Sequence, residues 1–281
     1  AKTMTDAGVR GIFGNPSFKI HTKLCVVSRE EKGQLVHYSH IGTGNFNENT
    51  AKIYTDFSLF TKSEIISTEA LGVFDLIHLP YRQFKFEHLL VSPVNAKHSI
   101  LSLIDNEIRF AKQNKKGEII LKLNNLVDHD LVDKLYEASQ QGVHIKAIVR
   151  GMCTLRPGIR GLSENIKIIS IVDRFLEHPR IMKFHNGGEP RVYLTSADWM
   201  RRNMEDRIEV GCPIYDPKLV GKISHLLDIH FNDTLKARVI DKNQTNDYVK
   251  RGNRKKLRSQ QETYTYLKQL EKDYDQNKRG I

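Results

Sequence analysis

His21 stands between Lys19 and Lys23 in an apolar run, Phe18-Lys19-Ile20-His21-Thr22-Lys23-Leu24-Cys25-Val26-Val27. About twenty positions later the chain reads His40-Ile41-Gly42-Thr43-Gly44-Asn45-Phe46-Asn47. The pattern returns as Phe175-Leu176-Glu177-His178-Pro179-Arg180-Ile181-Met182-Lys183-Phe184, followed by Tyr193-Leu194-Thr195-Ser196-Ala197-Asp198. In each copy a histidine lies two residues before a cation, and a loop of small polar residues follows. An imidazole ringed by cations suits attack on phosphorus by a neutral ring nitrogen, with Lys, Arg and loop N–H groups taking up the charge of the phosphate oxygens. If each copy is a hairpin, a pseudo-twofold arrangement brings His21, His178, Lys23, Arg180 and both loops to one cleft.

Other residues fit the same chemistry. Arg150 follows the apolar strand Val143–Val149, at the edge of a sheet where ligands of α/β proteins bind. Arg201, Arg202 and Arg207 follow the second loop; they can clamp phosphate in bidentate fashion, or pair with Glu205, Asp206 and Glu209 in a surface network. Alternation along one strand places Lys19, His21 and Lys23 on one face.

These residues need a scaffold of strands and helices. A strand is expected over Val9–Phe13, a strand-like segment over Ile53–Phe60, and a helix from Ser63, with Ser67 or Thr68 as alternative caps, to Pro80. A crossover over Tyr81–Ser92 then leads to a helix over Asn95–Asn114, with Ile100, Leu103, Ile104 and Ile108 at helical spacing. Strand Ile119–Leu123, helix Leu131–Gln141, strands Val143–Val149 and Ile166–Val172, and helices Leu219–Phe231 and Ser259–Asp273 complete the pattern. Strands alternating with helices predict an α/β fold. Two domains are expected, 1–87 and 88–281, the first lacking counterparts of the opening elements of the second, as in the C-terminal piece of a longer protein.

The chain has 281 residues, no apolar run of bilayer length, and 44 Lys+Arg against 33 Asp+Glu, for a net charge of +11. That balance favours a polyanionic partner. The densest basic stretch is Lys250-Arg251-Gly252-Asn253-Arg254-Lys255-Lys256-Leu257-Arg258. Three cysteines without CxxC spacing indicate neither a disulfide framework nor a zinc site, and Cys25 is expected in the core.

In outline the two His-x-Lys/Arg copies resemble the phospholipase D superfamily. The longer strings resemble bacterial polyphosphate kinase of the first type: His40-Ile-Gly-Thr-Gly-Asn-Phe-Asn, Leu121-Lys-Leu-Asn-Asn-Leu-Val-Asp, Val149-Arg-Gly-Met-Cys, Ile171-Val-Asp-Arg-Phe-Leu-Glu-His and Ser196-Ala-Asp-Trp-Met. The superfamily's Asp, five residues after the Lys, is replaced here by Ser28. The resemblance implies two phospholipase D-like domains, each a mixed sheet flanked by helices, related by a pseudo-twofold repeat. It implies reversible transfer of the γ-phosphate of ATP to inorganic polyphosphate through a phosphohistidine at His21, with His178 as second essential histidine. Tyr54, Arg150 and His178 match the family's ATP contacts, and Lys23, Asn45, Arg180 and Arg207 are expected on phosphate. Mg²⁺ accompanies ATP and ADP, and the family's magnesium-linked residues lie upstream of Ala1, so no metal ligand is expected in this chain.

A cytoplasmic homo-oligomer follows from the same resemblance, with peripheral association at the inner face of the membrane as an option and no nucleic acid as partner. Two rival readings are a phospholipase D-like phosphodiesterase, nuclease or lipase, and a non-enzymatic polyanion-binding module centred on residues 250–258.

Overall fold

The run carrying His21 forms two strands rather than one. In the structure, a computed structural model that describes residues 2–11 and 18–279, helix α1 (Lys2–Asp6) and strand β1 (Lys19–Ile20) come first. The chain then breaks at His21 and Thr22 before β2 (Lys23–Glu31) and its hairpin partner β3 (Gln34–Gly42). β1 instead pairs in parallel with Arg207 and Ile208, far along the chain. Because the two pieces serve different sheets, the expected single-strand alternation is lost: Lys19 is exposed, whereas Lys23 is only 4% exposed. No strand forms at residues 9–11, and the last two residues of the strand expected over Val9–Phe13 lie outside the described residues.

The rest of the first half is a short helix α2 (Glu48–Ala51), strands β4 (Tyr54–Thr55) and β5 (Ser58–Thr61), and helix α3 (Glu64–His78). The side chain of Asn47 caps α2 by accepting the N–H groups of Asn49 and Thr50. The segment expected as one strand over Ile53–Phe60 is split at Asp56 and Phe57, since β4 and β5 also serve different sheets: β5 pairs with β3 and β4 does not. Of the three caps considered, Ser63 holds the N-cap position of α3. Ile66, Ala70, Val73 and Leu76 recur at helical spacing and pack on Ile41, Leu24, Val26 and Leu59 of the three-stranded sheet. Cys25 points away from that core and is exposed, contrary to expectation.

The second half contains β6 (Leu90–Ser92), α4 (Ala96–Lys112), β7 (Glu118–Leu123), α5 (His129–Gln140), β8 (His144–Val149) and β9 (Ile166–Ile171). It continues with β10 (Leu176–Glu177), β11 (Arg180–Phe184), β12 (Arg191–Thr195), α6 (Arg201–Glu205), β13 (Arg207–Ile214), α7 (Pro217–Phe231), β14 (Ala237–Ile240) and α8 (Ser259–Arg279). Its sheet runs β1-β13-β12-β11-β7-β8-β9-β14, with β6 also on β13. β7, β8 and β9 are parallel, and β11, β12 and β13 antiparallel. Ile119, Leu121 and Leu123 of β7 face the core made with α4 and α5, while Ile120 faces the core under α7. A strand covered on both faces is largely apolar, which is how 119–123 reads apart from Lys122.

β10 stands outside this large sheet and pairs in parallel with β4 of the first half, Leu176 with Tyr54 and Glu177 with Thr55. The halves thus exchange two-residue strands, β1 going to β13 and β10 going to β4. Each histidine directly follows an exchanged strand, so both arrive at the same seam.

Candidate active site

At the seam each imidazole is gripped by a carboxylate from the other half. His21 lies beside Glu209 of β13, with Nδ1 at 2.8 Å and 2.9 Å from the two carboxylate oxygens. The backbone N–H groups of His21 and Thr22 both donate to the carbonyl of Ile208, which fixes the ring's height against β13. Glu209 is 1% exposed and also accepts from Ser196 Oγ and, at 2.6 Å, from Asn203 Nδ2. Against a carboxylate, Nδ1 carries the proton, which leaves the lone pair on Nε2. Among the described residues no group bonds to that Nε2, and the side chain is 22% exposed.

His178 repeats the grip from the opposite side. Its Nδ1 lies 2.7 Å from Asp56 Oδ1, and Thr43 Oγ1 donates to the same oxygen at 2.7 Å. The loop hydroxyl (Thr43 or Ser196), the carboxylate (Asp56 or Glu209) and the histidine of the other half therefore form one motif used twice. The copies differ at Nε2, since Arg180 Nη1 donates to that of His178 at 2.9 Å. Burial lowers the pKa of His178, and Arg180 and Lys23 lower it further against the pull of Asp56, so the ring is held neutral. Tyr54 packs on it with ring centroids 5.0 Å apart.

Asp56 and Glu209 were not singled out from the sequence. A signal was present: each lies 13 residues after the hydroxyl that holds it, Thr43 or Ser196. Their carboxylates also supply a charge that a count of cations around His21 leaves out.

The cations line a polar cleft of about 230 Å³ bounded by His21, Tyr54, His178, Arg150, Arg180, Arg202 and Arg207. Arg180 is braced by both oxygens of Asp198 at 3.3 Å. Burial alone would raise the Asp198 carboxyl, but Arg180 and the amides of Asn124 and Asn125 hold it below the usual carboxylate range. Arg150 spends its Nε on Asn124 Oδ1 and the Glu177 carbonyl. Its Nη groups, and the side chains of Arg202 and Arg207, make no hydrogen bond or ion pair among the described residues. Guanidinium groups without a partner among the described residues give this small cleft a positive potential suited to anions.

Lys23 lies just behind, its ammonium donating to the His21 carbonyl, and burial brings its pKa down to about 8 despite Glu209. Arg201 instead joins the surface network, 2.8 Å from Glu205. Asn45 is exposed at the tip of its loop and is not among the residues lining the cleft. Among the described residues no group of three or more His, Cys, Asp or Glu has the disposition of a metal site.

Two family models match the chain: Polyphosphate kinase C-terminal domain 1 over residues 1–83 and Polyphosphate kinase C-terminal domain 2 over residues 89–260. The polyphosphate kinase of Vibrio parahaemolyticus is 56% identical over 281 residues, covering 100% of this chain and 40% of the relative. That of Escherichia coli K12 is 53% identical over 271 residues, covering 96% and 39%. The crystal structure of polyphosphate kinase from Porphyromonas gingivalis superposes with a TM-score of 0.91 at 38% identity, covering 97% of this chain and 42% of that one. The chain therefore spans about two fifths of the length of these relatives.

Proposed function

The chain belongs to the polyphosphate kinase family, and we propose that the seam between its halves is the phosphoryl-transfer centre of such an enzyme, with His21 as the nucleophile. One observation carries the choice between the two histidines: Nε2 of His21 has no bonding partner among the described residues and borders the cleft, whereas Nε2 of His178 is taken by Arg180.

In the synthetic direction the Nε2 lone pair attacks the γ-phosphorus of ATP, the bond to the β,γ-bridging oxygen breaks, and its electron pair leaves with ADP. Nδ1 keeps its proton against Glu209, which stabilises the positive charge that the phosphorylated ring acquires. Arg202 and Arg207, at the cleft, take up charge on the transferred phosphoryl group, and the ammonium of Lys23 adds its positive potential from behind His21. A terminal oxygen of inorganic polyphosphate then attacks the same phosphorus, the P–N bond breaks, and its electrons return to Nε2. His178, neutral and without a proton on Nε2, acts by holding Arg180 where charge collects. Tyr54 and Arg150, at the same cleft, bound the nucleotide end, as the resemblance to the family implies.

Mg²⁺ is expected to arrive with the nucleotide, and no residue of this chain is assigned to it. The same reading makes the protein a cytoplasmic homo-oligomer with peripheral membrane contact as a further expectation; among the described residues no helix is long and apolar enough to cross a membrane. A phosphodiesterase reading gains nothing from the structure: Ser28, at the position of the superfamily's acid, sits on the exposed hairpin bonded to His37.

The test is transfer of label from γ-labelled ATP, in the full-length protein, into acid-labile protein and into polymer. Wild type is expected to label and elongate, and His21→Ala to do neither. Equal labelling of His21→Ala, or release of phosphodiester products without ATP, would sink the reading.

A further inference from the structure

The strand that delivers His178 is two residues long, and it is held by more than its pairing with β4. On one side the N–H of Leu176 donates to the carbonyl of Ile53 at 2.9 Å. On the other, both backbone groups of Phe175 are taken by one side chain: its N–H donates to Gln260 Oε1 at 3.0 Å, and its carbonyl accepts from Gln260 Nε2 at 2.8 Å. The Gln260 amide thus behaves as one added peptide unit on the edge of the strand. The same Nε2 donates to Glu177 Oε1 at 2.7 Å.

Glu177 is the node through which this grip reaches the cleft. It precedes His178, and its carbonyl accepts from Arg150 Nε. Its buried carboxylate is also held by Lys122 at 2.8 Å and His230 at 3.2 Å, on the side facing away from the cleft. Burial alone would raise that carboxyl, but Lys122 and His230 hold it ionised. Gln260 lies in the first turn of α8, and the preceding residue but one, Arg258, makes a paired contact with Asp173 at 2.6 Å and 2.7 Å. So Arg258, just before α8, and Gln260, in its first turn, hold the segment 173–177 at two points. The matched family domain ends at residue 260, where this helix has just begun.

We propose that Gln260 is a positioning residue for His178 and Arg150: α8 sets the catalytic segment through one side-chain amide. The proposal rests on the kinase reading for its kinetic consequences. Without the amide, Phe175 turns to solvent for its bonds, Glu177 loses a donor, and the two-residue strand is left with a single edge.

The experiment compares wild type, Gln260→Ala, Gln260→Glu and Tyr264→Ala in the full-length protein. Tyr264 is on the same helix, 58% exposed, and outside the grip. Gln260→Ala and Gln260→Glu are expected to lower kcat about tenfold with KM for ATP within about twofold, as for a lost transition-state alignment, while Tyr264→Ala stays within about twofold of wild type. Added to Asp56→Asn, Gln260→Ala is expected to cost less than about twofold more, because His178 is already misplaced. A full effect in the Asp56→Asn background, no effect of Gln260→Ala, or equal damage from Tyr264→Ala overturns the assignment. If wild type itself transfers no phosphate, the kinase reading fails instead, and the ¹⁵N imidazole spectrum decides on the grip alone. The His178 signals are expected to move in Gln260→Ala, and unmoved signals reject the proposal.

Discussion

Replacing Glu209 by Gln removes one charge and almost no volume, and it tests the whole account of His21. In the proposed mechanism the ring attacks as a neutral imidazole and becomes cationic once Nε2 bears phosphorus, so the carboxylate matters most as that charge develops. Two unit charges 2.8 Å apart interact by at most about 6 kcal/mol at an effective dielectric constant near 20. Ser196 and Asn203 already donate to the carboxylate, which dilutes its charge, so roughly half of that is a fair expectation. At about 1.4 kcal/mol per factor of ten, the loss is on the order of 10² in the rate of phosphohistidine formation.

The amide adds a second fault. Both carboxylate oxygens accept from protein donors as well as from His21, so the NH₂ of Gln must face either Ser196 or Asn203, or turn its hydrogens on Nδ1. The last choice moves the ring proton to Nε2 and removes the nucleophilic lone pair. Quench-flow labelling with γ-labelled ATP measures the step, and thermal unfolding checks the fold. A labelling rate within about threefold of wild type, in a protein of normal stability, would refute the role given to Glu209.

Two further outcomes follow from the same seam. A Cβ on Gly44 would lie 2.4 Å from both Cγ and Oδ2 of Asp56, so Gly44→Ala must displace the carboxylate that holds His178; kcat is expected to fall at least as far as in Asp56→Asn, and near-normal kcat would contradict the grip on His178. Lys23, with its pKa at about 8, carries its charge below that pH and loses it above, so activity is expected to decline as pH rises through about 8. In Lys23→Arg, whose cation does not titrate there, that alkaline limb should vanish, and an unchanged pH–rate profile would remove Lys23 from the phosphate site.

The sequence made the α/β alternation, the helices at 96–112 and 129–140, and the two histidine hairpins legible, because each rests on local periodicity and caps. What it hid were the breaks. Phe18–Val27 and Ile53–Phe60 read as continuous strands because their propensities are continuous; tertiary pairing cuts them, one part to each sheet. Cys25 looked internal for the same reason: an apolar strand does not say which of its faces is covered. Asp56 and Glu209 act 122 and 188 residues away from the histidines they hold, beyond the reach of any local pattern.

The repeat also contained a difference whose meaning appears only in three dimensions. The two runs around the histidines follow one pattern up to the cation after each, which is Lys23 in one and Arg180 in the other. The ammonium of Lys23 is a compact point charge, and it turns back to the carbonyl of His21. The guanidinium of Arg180 is a fork: it spans Asp198 with two nitrogens and still reaches Nε2 of His178. One histidine therefore keeps its outer nitrogen open to phosphorus and the other has it closed by a donor. On the proposed mechanism, the choice of cation two residues away is what makes one of two similarly placed imidazoles the nucleophile and the other its electrostatic partner.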